Sequence, residues 1–277
     1  MKPSKFNVFI PLPSDEEEYL VFNTLTDSRA TVGGELKRAL ERTYLGEELD
    51  PEVQACLEPL QELGIMVQDE VDEDRTAQDW LHRVKSSTDT LDVTLLTTYA
   101  CNLACEYCFE KRIGSNAFMD DETCRKAAAW ISQRIEQVRP NRLRLTFYGG
   151  EPLLNLGAVR YLSRQLYAEA SKRGTEVEIT LATNGVLLSR EIVLELLPYG
   201  LTTVKVTLDG DGAAHDARRP FKDGRGSFEA IFSNLRAVKD LVSLVVVGNY
   251  DRNNKGAVPV LLDRLQAFGF QDSIREE

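Results

Sequence analysis

The chain has 277 residues, 43% hydrophobic and 28% charged, the balance of a globular protein with room for one large domain or two smaller ones. Its net charge of −11 is unevenly spread: residues 1–90 carry 9 Lys and Arg against 20 Asp and Glu, whereas residues 91–277 carry 24 of each. No stretch approaches the roughly 20 apolar residues of a membrane span, and no basic patch dominates, which argues against a membrane or a nucleic acid as partner.

The N-terminus turns acidic too soon for a secretory signal. Residues 6–12 and 19–25, rich in aromatic and branched side chains, predict two short strands around an acidic turn at 14–18. Gly33 and Gly34 then break the chain. Apolar spacing predicts a helix over 36–44, and Pro51 opens a second that ends at Gly64. Residues 65–67 predict a return strand, and 72–85 a linking helix with Trp80, Leu81 and Val84 on one face. The change in charge near 85–90 predicts a boundary, with a small α+β domain over 1–88 and a second domain over 89–277.

From residue 91 strands and helices alternate. Strands are expected at 93–97, 143–148, 176–182, 203–207 and 243–248, and helices at 121–138, 156–173, 189–197, 227–241 and 255–268. Such alternation predicts an α/β fold with a parallel sheet and right-handed crossovers. Ligands of such sheets sit beyond the carboxyl ends of the strands, and the motifs fall there.

The first strand runs into Cys101-Asn-Leu-Ala-Cys105-Glu-Tyr-Cys108. Thiolates are soft ligands suited to iron in a sulfide cluster. A four-iron cluster normally takes four, so three from one loop leave one iron open to a substrate or cofactor. The alternatives are zinc and buried free thiols. Zinc usually draws its thiolates from C-x2-C pairs, and here no second pair exists and His82 and His215 lie far away in sequence. Cys56 and Cys124 read as reduced thiols outside the loop.

This C-x3-C-x2-C loop, with Tyr107 before its last cysteine, resembles that of the radical S-adenosylmethionine (SAM) superfamily. The resemblance covers about residues 91–270 and implies a partial (β/α)6 TIM-like barrel. It implies a [4Fe-4S] cluster on Cys101, Cys105 and Cys108, with the fourth iron chelating the amino and carboxylate groups of SAM. Reductive cleavage then yields a 5'-deoxyadenosyl radical that abstracts hydrogen. Tyr107, the aromatic residue of the loop, counts among the implied cofactor contacts. Tyr148-Gly149-Gly150-Glu151-Pro152 matches the family's GGEP motif, whose backbone and acid hold the methionyl amino group; paired glycines let backbone approach a ligand closely. Asn184, in Ala182-Thr-Asn-Gly185, resembles the turn that faces the cofactor cleft.

The run from Val206 to Pro220 is similar to the S-L-D-G…H-D-x-x-R stretch of enzymes that mature peptides and sulfatases. Thr207 takes the serine position near the ribose. Asp209 orients the loop or serves the substrate. Arg219 takes the position that pairs with the methionyl carboxylate, a task that suits a planar guanidinium. His215 reads as a structural hydrogen-bonder and Ser227 as a helix cap. Val247, ending the fifth strand, takes the place of an apolar contact under adenine.

Residues 1–88 resemble, by order of elements alone, the winged-helix-like module that precedes many peptide-modifying radical enzymes. That module adds the leader of a precursor peptide at a sheet edge; the alternative is a packing cap without a ligand. The whole resemblance implies an oxidoreductase that modifies a ribosomal peptide or protein side chain, for example by a thioether or carbon–carbon crosslink. It also implies an electron donor such as flavodoxin or ferredoxin, and a reducing cytoplasm. Oxidation of a Cys or Ser in a sulfatase, or a non-catalytic scaffold, are the competing functions. A sixth strand is expected from Gln271, close to the end at Glu277, and no auxiliary-cluster cysteines follow. An unfinished barrel exposes an edge, so a partner is expected to cover it.

Overall fold

A computed structural model describes residues 1–13, 17–47, 51–114 and 116–270. The chain divides into two compact units, Met1–Ser87 and Thr88–Glu277.

In the first unit β1 (Lys2–Pro3) meets β5 (Met66–Val67), while β2 (Asn7–Pro11), β3 (Glu18–Asn23) and β4 (Ser28–Gly33) form an antiparallel sheet with β3 central. Helices α1 (Gly34–Tyr44), α2 (Pro51–Leu57) and α3 (Glu73–Ser86) complete it. Val21, Val32, Leu40 and Ile65 are among the residues that form its core. Strand β4 is not among the expected elements. Asp27, at a positive φ of 57°, turns the chain back, and Ala30 and Val32 then face inward while Arg29 and Thr31 face out. Gly33 is therefore a strand end and the cap of α1 rather than a break. Helix α2 stops six residues short of its expected end because Pro59 sits in the following 3-10 turn (Glu58–Gln61) and has no N–H to continue an α-helix. On α3, Trp80, Leu81 and Val84 do share a stripe, but it is exposed at 53%, 43% and 55%.

Among its described residues the second unit holds five parallel strands, β6 (Thr90–Thr98), β7 (Arg142–Gly149), β8 (Glu176–Thr183), β9 (Leu201–Thr207) and β10 (Ser243–Val247), each hydrogen-bonded to the next in sequence. Helices α4 (Asp121–Val138), α5 (Leu156–Ser171), α6 (Arg190–Leu196), α7 (Gly212–Arg218), α8 (Phe228–Val238) and α9 (Val258–Ala267) lie in the connections and after β10. This is a mixed α/β architecture with the strand order of a partial (β/α) barrel. Alternation along β7 shows why. Leu143, Leu145 and Phe147 are fully buried and pack with Ile131 and Ile135 of α4 and Leu162 and Leu166 of α5. Between them, Arg144 points to the opposite face and meets Glu178 of β8 at 3.2 Å. On that face Thr94, Thr146, Thr180 and Thr203 stand in register across four strands. Parallel sheets are usually apolar on both faces; here one face stays polar.

Helix α7 is the main surprise in this unit, since its seven residues read as a motif rather than as an element. Asp211 caps it by accepting from Ala214 N. The expected sixth strand lies outside the described residues. Among those described, no helix is long and apolar enough to cross a membrane.

Candidate cofactor site

The cysteine loop is held from two sides by backbone. On the β7 side the residues leading into it accept: Gly150 N donates to Thr98 O at 2.9 Å and Glu151 N to Ala100 O at 2.8 Å. On the α7–α8 side it donates: Ala104 N reaches Pro220 O at 2.8 Å and Glu106 N reaches Arg218 O at 3.3 Å. A bridge between Leu103 and Phe221 adds to the second wall. The two glycines serve this clamp. A Cβ on Gly149, at φ 129°, would collide with the Thr98 carbonyl, and one on Gly150 would collide with the Tyr99 and Ala100 carbonyls. The sequence pointed to close approach to a ligand; the close approach seen is to residues 98–100, which lead into the cysteine loop.

Within the loop Cys105 is buried, and Cys101 and Cys108 are half-buried. Cys101 feels the charge of Cys108, and Cys105 that of Cys101 and Cys108. Burial pushes the Cys101 and Cys105 thiols up, opposed at Cys105 by the Arg219 guanidinium. A metal must therefore displace protons to bind here. Among the described residues no three His, Cys, Asp or Glu converge as a single metal ion requires. A cluster makes no such demand, because each thiolate takes its own iron.

Glu151 is the expected acceptor for an amino group, yet it is fully buried. Its carboxylate accepts from Leu153 N at 3.0 Å, Thr183 Oγ1 at 2.7 Å and Asn184 N at 2.7 Å. Burial raises its pKa and these three bonds oppose the rise. In this structure Glu151 thus ties the β7 turn to the β8 turn instead of facing a cleft. Pro152, also buried, opens the 3-10 turn that follows. Asn184 is brought to the loop: its Nδ2 lies 2.6 Å from Asn102 Oδ1 and 3.6 Å from Cys101 Sγ.

The far side of the loop carries a charged network. Tyr107 Oη donates to Asp209 Oδ2 at 2.5 Å and accepts from Arg219 Nη1 at 2.5 Å. Burial and the Asp209 bond push the Tyr107 hydroxyl well above its ordinary value. Burial alone would lower the Arg219 pKa, but Cys105, Tyr107 and Asp209 together raise it. Its Nε is buried without a partner among the described residues. Thr207 and Val247 are register partners at the ends of β9 and β10. Sequence reasoning missed Asn249 and Asn254 here. Asn249 donates to Asp209 from its backbone at 2.9 Å and to Tyr107 Oη from its side chain at 3.1 Å. Asn254 Nδ2 holds the Asp209 and Asn249 carbonyls at 2.8 and 2.9 Å. The available signal was a run of Asn and Asp directly after the fifth strand, at the same rim as the other motifs.

His215 is fully buried. Its Nδ1 accepts from Asp209 N at 3.3 Å, so Nε2 carries the proton toward Ser227 Oγ at 3.1 Å. Burial, aided by the Arg219 charge, lowers its pKa from 6.5 to about 4.

The structure thus puts three cysteines on one loop at the carboxyl rim of a parallel partial barrel. The model of the Radical SAM superfamily matches residues 95–251, more than half of the 277, and the chain belongs to that superfamily. The cyclopropyl synthase TigE of Paramaledivibacter caminithermalis is 23% identical over 58% of this chain and 35% of its own length. A GTP 3',8-cyclase of Peptoclostridium acidaminophilum is 30% identical over 65% of this chain and 48% of its own. A serine-type anaerobic sulfatase-maturating enzyme of Bacteroides thetaiotaomicron is 30% identical over 50% and 34%. Among solved structures, native anSMEcpe with bound AdoMet and Kp18Cys peptide superposes with a TM-score of 0.58 at 21% identity, over 66% of this chain and 49% of that one, a likeness of fold. The chain thus spans about a third to a half of the length of these curated relatives.

The donor set fits a cluster and SAM: three soft ligands on one clamped loop, and beside them a buried guanidinium with an unused N–H. Two outcomes follow. Gly150→Ala should at least halve the iron taken up under anaerobic loading while far-UV circular dichroism stays native; full loading would show that the clamp does not matter. Stability should fall as pH drops from 6.5 to about 4, because the unfolded chain binds a proton at His215 that the folded chain refuses. The His215 share is on the order of 3 kcal/mol. Urea titrations of His215→Gln should show a shallower slope than wild type in that window, and an equal slope would contradict the assignment.

Proposed function

We propose that this chain is a radical SAM enzyme acting on a peptide or protein side chain. The observation that carries the proposal is the clamped three-cysteine loop, set between strand-end turns in a member of this superfamily. Bound together, a [4Fe-4S] cluster and SAM would supply reductive cleavage of SAM and with it a 5'-deoxyadenosyl radical for hydrogen abstraction. Cys101, Cys105 and Cys108 would hold the cluster. Asn184 lies where it can donate to a ligand beside Cys101. Arg219 offers a carboxylate its unused Nε, and its hold on Tyr107 aims it at the loop. Thr207 and Val247 would line the ribose and adenine end. Glu151 and the two glycines keep the loop and the β8 turn in place.

Residues 1–88 are proposed to receive the leader of a precursor peptide. Among the described residues, β2 and β4 each have one strand neighbour, and Val8 and Ile10 of β2 are exposed at 45% and 44%. An added strand would gain backbone hydrogen bonds at such an edge. The sulfatase-maturating relative supports a second reading, oxidation of a Cys or Ser side chain. Flavodoxin or ferredoxin would be the electron donor, in a reducing cytoplasm.

With anaerobically reconstituted protein and a chemical reductant, SAM should be converted to 5'-deoxyadenosine and methionine. Cys105→Ala should reduce this to background while the fold persists. Iron binding without any cleavage would leave a scaffold in place of an enzyme.

A further inference from the structure

One wall of the cysteine clamp is a loop, residues 219–227, that contains no helix or strand. Something must fix it, because its Pro220 carbonyl and the adjacent Arg218 carbonyl are the acceptors for the cysteine loop. Two contacts fold it back on α7. Asp216 Oδ1 accepts from Phe228 N at 2.8 Å. The second contact is a chain of uncharged bonds: Asp209 N–H to His215 Nδ1, His215 Nε2–H to Ser227 Oγ, and Ser227 O–H to the Arg219 carbonyl at 2.6 Å. His215 and Ser227 are both fully buried, and neither touches the cysteines or the Tyr107 hydroxyl in this network. The chain therefore connects Asp209, at the end of β9, to the backbone of Arg219, the residue that precedes Pro220.

We propose that His215 and Ser227 are positioning residues for the cysteine loop. Their relay sets the backbone at Arg219, and through it the Arg218 and Pro220 carbonyls that receive the loop's amides. The same relay fixes the amide of Asp209 and so the Asp209–Tyr107–Arg219 contacts on the loop's outer side. Each bond in the chain has one possible direction. The Asp209 amide can only donate, so Nδ1 must accept; Nε2 must then donate, and the serine hydroxyl, having accepted, has its proton for the carbonyl. A charged imidazole would break the first link. Asp209, Asp216 and Arg219 are the charged groups that act on the ring, and Arg219 opposes such a charge.

This rests on the reading of residues 101–108 as a ligand loop, but its test does not need the cluster. Amide hydrogen exchange of the full metal-free chain should show the Ala104 and Glu106 amides protected in wild type. In Ser227→Ala their protection should fall about tenfold, the scale of one lost buried hydrogen bond. The strands β7 and β8 should not change, and Ser227→Thr, which keeps the hydroxyl, should restore protection at least in part. His215→Asn keeps an acceptor for Asp209 N but cannot reach Ser227, and should show the same local loss. In reconstituted protein both variants should raise the KM for SAM more than they lower kcat. Unchanged protection at 104 and 106 in both variants, or a loss spread evenly over the unit, would overturn the proposal. A wild-type chain that shows the protection yet never cleaves SAM would instead strike the proposed function and leave the relay standing.

Discussion

Everything at the carboxyl rim of the sheet depends on how one eight-residue loop is gripped. The loop has no regular structure of its own between β6 and the turn after Cys108. The residues leading into it, Thr98 and Ala100, offer carbonyls to one neighbour, and the loop itself offers amides to the other. The β7 turn supplies donors, the α7–α8 loop supplies acceptors, and the polarity of the peptide group fixes which wall is which. Cys101 and Cys105, whose thiol pKa values are raised by burial, gain nothing from their position unless a metal takes them. The geometry is thus maintained by backbone bonds and glycine packing rather than by the ligands.

Two buried side chains stabilise the walls in different ways. Glu151 is an acid surrounded by donors, and it welds the β7 and β8 turns. His215 is an uncharged ring with one donor and one acceptor, and it welds the end of β9 to the loop before α8. Burying an ionisable group is costly unless its hydrogen bonds are met. Both groups meet theirs within the protein. Between the walls, Tyr107 joins the loop to Asp209 and Arg219, and Asn249 brings in β10. All five strand ends are connected by polar contacts of this kind, whereas the apolar core lies below, between the sheet and the helices.

Much of this was legible in the sequence. The helix over 121–138 is found at its expected bounds, since Asp120 caps it and Arg139 takes the left-handed conformation that ends it. The five strands were readable because their branched residues recur between clear glycine and polar breaks. The cysteine spacing and the motifs at strand ends located the rim. What was hidden is instructive. Strand β4 was masked by a glycine pair that reads as a break, and α7 by a motif that drew attention to its side chains. The direction of the Glu151 carboxylate could not be read from spacing, because its partners Thr183 and Asn184 come from another strand more than thirty residues on. Asn249 and Asn254 were overlooked for the same reason: their worth lies in contacts across the sheet.

The most direct test is electron paramagnetic resonance of the anaerobically loaded, reduced protein with and without SAM. A cluster held by three thiolates has one iron free to bind the cofactor, so adding SAM should change the signal, and Cys105→Ala should remove it. Zinc in place of iron, or an iron–sulfur signal indifferent to SAM, would contradict the account.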